Sequence, residues 1–285
     1  MRLTILPLVL AICAACGPTD IRPEQLKAGQ TAIPPHGVSL LRASIEAHGG
    51  WERWRSHQTL KVVMTDHWDG IIGWFSMPWP ENGQRMEMQF LRGTFYGKTK
   101  MLGGPSDGDT WGVQAWKAYL TSANGGTEFR DHDDTLFLVP TYQYFLEFPY
   151  RIGGAGIIQF AGTRAIGENE YELVYATWGT EAPQLETDQY VLWIGAESRL
   201  IEKIEFTVRD QMRWATGTMH FSDYRDVEGI QIPFDMTVTL GPEDESHIHR
   251  MQLESVEFDT VPKTVFFPDP SLPFTADSKV TDYRY

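Results

Sequence analysis

The sequence predicts a mainly β domain of the α+β class, built on one strongly curved antiparallel sheet with helices against its concave face. Two observations carry this expectation. Short β-rich runs recur through most of the chain with tight turn signals between them. Helical patterns fall in only two places, whereas βαβ units would need a helix between most strands.

Val38 to His48 sets Leu41, Ile45 and His48 at helical spacing, with Gly49 and Gly50 as stop signals. Trp51-Glu52-Arg53-Trp54 predicts a further helical turn. Strand patterns then run over Leu60 to Trp68, Ile71 to Met77, Arg85 to Leu91, Thr94 to Met101 and Thr110 to Trp116. Asp69-Gly70, Glu81-Asn82-Gly83, Arg92-Gly93 and Asp107-Gly108 separate them as turns. Pro78 and Pro80 mark a strand end, because proline cannot donate to a ladder.

The segment from Asp131 to Tyr150 interrupts the strands. Asp133 and Asp134 suit a helix N-terminus, Pro140 the first turn of a second helix, and Pro149 its end. Phe137, Leu138, Tyr142, Phe145, Leu146 and Phe148 make the segment apolar on more than one face, so it must be covered on two sides. Strands resume at Ile157 to Phe160, Glu170 to Thr177, Asp188 to Ile194, Leu200 to Arg209, Met212 to Tyr224, Phe234 to Leu240 and His249 to Phe258. Gly195-Ala196-Glu197-Ser198 and Asp210-Gln211 mark hairpins between them.

The first residues carry a different signal. Arg2 supplies a minimal basic region, Leu3 to Ile12 an apolar stretch too short to span a bilayer, and Ala14-Ala15-Cys16-Gly17 a small-residue site before a cysteine. They predict a lipoprotein signal peptide over residues 1–15, cleaved before an acylated Cys16. Acyl chains, palmitate among them, contribute about 0.8 kcal/mol per buried methylene and anchor the chain at a membrane. Residues 16–36, rich in polar residues with Pro18, Pro23, Pro34 and Pro35, read as a tether, and residues 37–285 as a single domain. Cys13 and Cys16 are the only cysteines, so the body of the protein has neither a disulfide nor a thiolate metal site.

The formal charge is −14, and −15 once Arg2 leaves with the signal. That balance argues against nucleic acid as a partner and against polybasic attachment to anionic lipid. No His-Glu-x-x-His helix and no phosphate loop of the Gly-x4-Gly-Lys-Ser/Thr form is present. Gly153-Gly154-Ala155-Gly156 follows a proline-terminated helix and precedes a strand, the context of a flexible connection.

Three segments resemble the outer-membrane lipoprotein-sorting, LolA/LolB-like superfamily. They are Tyr190 to Ile194 with Arg199 to Phe206; Phe221-Ser222-Asp223-Tyr224 continuing to Gly229-Ile230-Gln231-Ile232-Pro233; and Val256-Glu257-Phe258 followed by Val265-Phe266-Phe267-Pro268. The resemblance implies an incomplete β-barrel with helices plugging its concave face, and the binding of a lipid or other hydrophobic ligand. Gly17, by resemblance to lipoproteins of diderm bacteria, implies the outer membrane rather than inner-membrane retention.

The resulting expectation is a non-enzymatic, lipid-anchored envelope protein that shelters an apolar molecule and needs no cofactor. Candidate cavity residues are Phe137, Leu138, Tyr142, Phe145 and Phe148, with Trp74 and Trp193 among the tryptophans; for each, plain core packing is the competing reading. His247 and His249, two apart on a strand, share a face that could hold a metal, but nothing fixes a third ligand and no metal is expected. Asp66-His67-Trp68-Asp69 and Asp131-His132-Asp133-Asp134 mix imidazoles with carboxylates and are otherwise turn and capping residues. Two alternatives stay open. An envelope hydrolase would show a buried histidine of perturbed pKa beside a carboxylate at the cavity mouth. A structural or partner-binding lipoprotein would show a large exposed apolar patch and no enclosed pocket.

Overall fold

The computed structural model describes residues 17–29, 34–209, 214–244 and 247–275. The expected signal peptide over residues 1–15, the acylated Cys16 and Met212, the expected start of a strand, lie outside the described residues.

Helices α1 (Glu24–Lys27), α2 (Pro34–Ala47) and α3 (Trp51–Ser56) precede the sheet. A first meander follows: β1 (Thr59–Trp68), helix α4 (Gly70–Ser76), β2 (Gln84–Leu91), β3 (Gly97–Met101), β4 (Thr110–Gln114), β5 (Lys117–Thr121) and β6 (Thr127–Phe129). Helices α5 (Asp133–Leu146) and α6 (Phe148–Ile152) lead to a second meander. It comprises β7 (Ile157–Ile166), β8 (Asn169–Thr177), β9 (Gln189–Gly195), β10 (Ile201–Thr207), β11 (Thr216–Val227), β12 (Ile230–Thr239) and β13 (His247–Phe258).

All thirteen strands form one antiparallel sheet in the order β6-β5-β4-β3-β2-β1-β13-β12-β11-β10-β9-β8-β7. The first and last strands pair at its centre, Leu60 opposite Phe258, and β6 and β7 are left as the two edges of an incomplete barrel. The chain leaving one edge must therefore cross to the other, and α5 and α6 make that crossing over the concave face. The predicted fold class is the observed one.

Alternation sorts the faces. Leu60, Val62 and Met64 of β1, Met86, Met88 and Phe90 of β2, and Leu192 and Ile194 of β9 share one continuous core with Leu138, Tyr142, Phe145 and Phe148 of the helices. The intervening residues of β8 and β9, Tyr171, Leu173, Tyr175, Val191 and Trp193, form a separate cluster on the other face. Leu26 of α1 caps that cluster, and Ile21 N donates to Gln189 Oε1 at 3.0 Å. Residues 17–29, expected as part of a tether, are thus docked on the sheet, because β9 is buried on both faces and needs a cover.

Other elements also depart from the sequence reading. The run expected as a strand over Ile71 to Met77 is helix α4, whose apolar residues do not alternate with polar ones. The run to Trp116 ends at Gln114, because Ala115 (φ 50°) and Trp116 (φ 58°) make a left-handed two-residue turn without the usual Gly or Asn; β5 and β6 follow it unforeseen. The strand expected from Thr94 begins at Gly97. Pro140 lies inside α5, which runs through it, and the Thr141 hydroxyl donates to Phe137 O at 2.7 Å beside the break in the ladder. Pro149 sits in the first turn of α6 and starts that helix instead of ending one.

The joint between α5 and α6 holds a buried ion pair, Glu147 with Arg151 at 2.7 Å. Gln143 Nε2 donates to Glu147 Oε1 and to Leu91 O, and Arg151 donates to Thr94 O at 2.6 Å. The Arg151 guanidinium lies 4.1 Å above the Phe95 ring. These bonds fasten the joint to the β2–β3 connection. Burial raises the Glu147 carboxyl above its ordinary value against the opposing pull of Arg151 and Gln143. Glu147→Ala leaves a buried guanidinium without its counter-charge and lowers stability by about 3–5 kcal/mol in chemical denaturation. The double change Glu147→Leu with Arg151→Met restores most of that loss.

Candidate functional site

The concave face of β1 is apolar from Leu60 through Met64 and then presents Asp66, which is 0% exposed. Its Oδ2 accepts from Trp68 Nε1 and Trp79 Nε1, both at 2.7 Å, and from the Tyr142 hydroxyl. Its Oδ1 contacts His249 Nδ1 at 3.0 Å, which places the proton on that nitrogen. The four partners come from β1, the β1–β2 connection, α5 and β13, so one carboxylate joins the sheet centre to the crossing helix. The His249 ring stacks on Trp68 at 4.1 Å and 9°.

Burial pushes the Asp66 carboxyl upward, but His249 and the hydrogen bonds from His249, Tyr142 and Trp79 outweigh it and hold it below its ordinary value. Burial, and then the Asp66 charge, drive the Tyr142 phenol well above its own. The site is a fixed anion whose acceptor positions are occupied by protein donors. That arrangement suits positioning more than proton transfer.

A second, more exposed pair lies beside it. Asp69 contacts His247 Nε2 at 2.7 Å and His67 Nε2 at 3.5 Å. The β1–β13 pairing, Trp68 opposite His249, thus brings together the two histidine motifs that the sequence holds far apart. Among the described residues no group of three or more His, Cys, Asp or Glu could hold a metal ion.

The other histidine of interest is His48, at the end of α2. Its Nδ1 contacts Ser44 O at 2.8 Å, its ring meets Tyr224 edge to face, and its Nε2 is buried with no partner among the described residues. Burial pushes its pKa down to about 4, with the Ser44 carbonyl pulling weakly the other way. It lines a cavity of about 10 Å³ with Phe145, Phe148, Tyr150, Phe221 and Ile232, room for one water molecule. The two marks of the hydrolase alternative are spread over several histidines: burial lowers the pKa of His48 and His220, while carboxylates contact His249, His247 and His57.

The structure brings five of the seven candidate residues together. Leu138, Tyr142, Phe145 and Phe148 are buried in the concave core and Phe137 packs against it. Trp193 lies on the opposite face of the sheet, where its indole donates to Glu205 Oε1 at 2.8 Å. Trp74 is exposed on α4. Neither lies in the concave core, since strand alternation turns Trp193 to the other face and α4 turns Trp74 to solvent. Asp66 entered the sequence reading only within the Asp66-His67-Trp68-Asp69 motif and His48 only as a helix residue, although the alternation Leu60, Val62, Met64, Asp66 already places the carboxylate on an apolar face.

Asp66→Asn removes the charge and presents amide protons to a ring of donors. Stability falls by about 3–5 kcal/mol, read as a shifted denaturation midpoint with altered tryptophan emission from Trp68 and Trp79. His48 titrates in the opposite sense to a stabilised cation. Its folded pKa of about 4 lies below the unfolded 6.5, so its contribution is complete above pH 6.5 and is lost on acidification, about 3 kcal/mol by pH 4. His48→Leu removes that share of the acid dependence, measured by denaturation at pH 7 and pH 4.

No family model matches the chain, and no curated protein matches its sequence. Solved structures do match. A putative outer membrane lipoprotein-sorting protein domain from Vibrio parahaemolyticus is similar at a TM-score of 0.50 and 12% identity, over 82% of this chain and 97% of that one. A LolA superfamily protein from Nitrosomonas europaea matches at 0.50 and 10% identity, over 81% and 96%. A DUF1329 family protein from Desulfovibrio piger matches at 0.54 and 10% identity, over 85% and 100%. At these identities the likeness concerns architecture, and it spans nearly the whole of each neighbour: this chain has the LolA-like fold, an incomplete antiparallel barrel with helices against its concave face.

Proposed function

We propose that this chain is a lipid-anchored envelope protein, held in the outer membrane through Cys16, that shelters a lipid or other hydrophobic molecule between the curved sheet and the helices against it, α2 and α3 as well as α5 and α6, without catalysing a reaction. The observation that carries the reading is the concave face itself: an open sheet lined by apolar side chains and covered by helices that are apolar where they meet it, Leu41 and Ile45 of α2 and Trp54 of α3 beside the crossing segment. The description of the Vibrio neighbour as a lipoprotein-sorting domain supports the same reading. The cavity beside His48 holds about 10 Å³ against the roughly 300 Å³ or more of a small-molecule site, so on this reading a ligand enters as the crossing segment lifts from the sheet.

The test is to purify residues 17–285 without detergent and run native and denaturing mass spectrometry on one sample. A lipid-sized adduct in the native spectrum that disappears on denaturation, with uptake of a fluorescent fatty acid after delipidation, is the expected result. A protein that carries no adduct and takes up no fatty acid removes the reading.

A further inference from the structure

The connection from β1 to β2 carries an unusual helix. Gly70 through Pro80 contains no charged residue. Within α4, Ile71 is 78%, Trp74 71% and Phe75 76% exposed, and Ile72 is also exposed. This is a held conformation. Gly73 is the buried residue of α4, and a Cβ there would stand 2.5 Å from Ile248 O. Asp69 N donates to the same carbonyl at 2.9 Å, and Met77 N to Gly73 O at 2.9 Å. The one face of α4 small enough to meet the β13 backbone is glycine, so the large apolar side chains point away from the protein.

Antiparallel order places six connections at one end of the sheet, β1–β2, β3–β4, β5–β6, β8–β9, β10–β11 and β12–β13. Four of them carry an exposed large apolar residue: α4, then Leu185, Trp214 and Leu240. Among the described residues the opposite end exposes only Trp116 and Phe274 in this class. The N-terminal segment leaves at the α4 end too. The Thr19 hydroxyl donates to Trp214 O at 3.2 Å, and Arg209 donates to Thr19 O. Gly17 precedes Thr19 by two residues, and Cys16 is next.

From this placement we propose that the end of the sheet carrying α4 docks on a lipid bilayer, with Ile71, Ile72, Trp74 and Phe75 seated at the headgroup boundary. Tryptophan and phenylalanine with aliphatic neighbours are the side chains that settle there. The exit of the chain at the same end puts the acyl-bearing residue on that side, a step that rests on the reading of Cys16 given above. The favoured surface is zwitterionic. The same connections carry Glu181, Glu186 and Glu243, and the chain as a whole is acidic, so anionic lipid is repelled.

The test uses the mature chain, residues 16–285, with Cys16→Ser, so that no acyl chain contributes. The expected result is flotation with phosphatidylcholine vesicles and quenching of tryptophan emission by brominated phosphatidylcholine. The triple variant Ile71→Ser, Trp74→Ser, Phe75→Ser alters only exposed positions; it keeps the circular dichroism melting curve and loses vesicle binding at least tenfold. Failure of the parent to float, equal flotation of the triple variant, or preference for anionic vesicles overturns the proposal. So does lipid-free self-association abolished by the triple change, which assigns the patch to a second copy. Mass spectrometry of the Cys16 peptide from membranes tests the anchor separately: an unmodified Cys16 removes the anchor while flotation of the parent leaves the docking surface standing.

Discussion

The pairing of β1 with β13 governs the rest of this molecule. A meander that starts at the centre of a sheet and grows to one edge cannot return to the centre without crossing, and here the crossing falls over the concave face. The open edges β6 and β7, the need for α5 and α6, and the enclosure of an apolar interior all follow from that pairing. Helices on the concave side are therefore a topological consequence as well as a hydrophobic one. They join the edges and cover the face in one stroke.

The crossing segment is pinned by polar contacts inside an apolar core, and this gives it one position where oily contacts alone would allow several. Tyr142 bonds to Asp66 near the α4 end, while Glu147 and Arg151 bind the β2–β3 connection at the opposite end. Each pin is satisfied almost completely by its neighbours. Removing one partner of either leaves a buried charge or a set of orphan donors, which is why such groups are specific in place and intolerant of change.

Much of this was legible in the sequence, and what was not has identifiable physical causes. Most strands announced themselves by alternation, and Asn82-Gly83, Arg92-Gly93 and Asp107-Gly108 marked real turns, whereas Asp69-Gly70 opens helix α4. The turn at Ala115 and Trp116 was hidden because its residues take positive φ without being Gly or Asn, so two strands read as one. Pro140 implied a helix break that packing overrode; its ring is buried against the sheet, and the helix tolerates the lost bond. Helix α4 was misread because a short apolar run has no decisive period, and only Gly73, pressed on Ile248, fixes which side faces out. The His–Asp contacts lay beyond the sequence altogether, since Asp66 and His249 are 183 positions apart and meet only through the β1–β13 register.

The two pins differ in what their release leaves behind, and that difference gives the crossing segment a direction of movement. If Tyr142 lifts away, Asp66 keeps the donors from Trp68, Trp79 and His249, and its charge stays compensated. Glu147 and Arg151 sit on the moving segment itself, so displacement there strips Arg151 from Thr94 O and Gln143 from Leu91 O together. Release at Asp66 is the smaller loss. On the ligand-sheltering reading proposed above, the crossing segment would therefore lift first at its Tyr142 side and keep the Glu147–Arg151 joint as its hinge. The concave face would then open at the end of the sheet that carries α4 and the N-terminal exit, the end proposed to meet the bilayer.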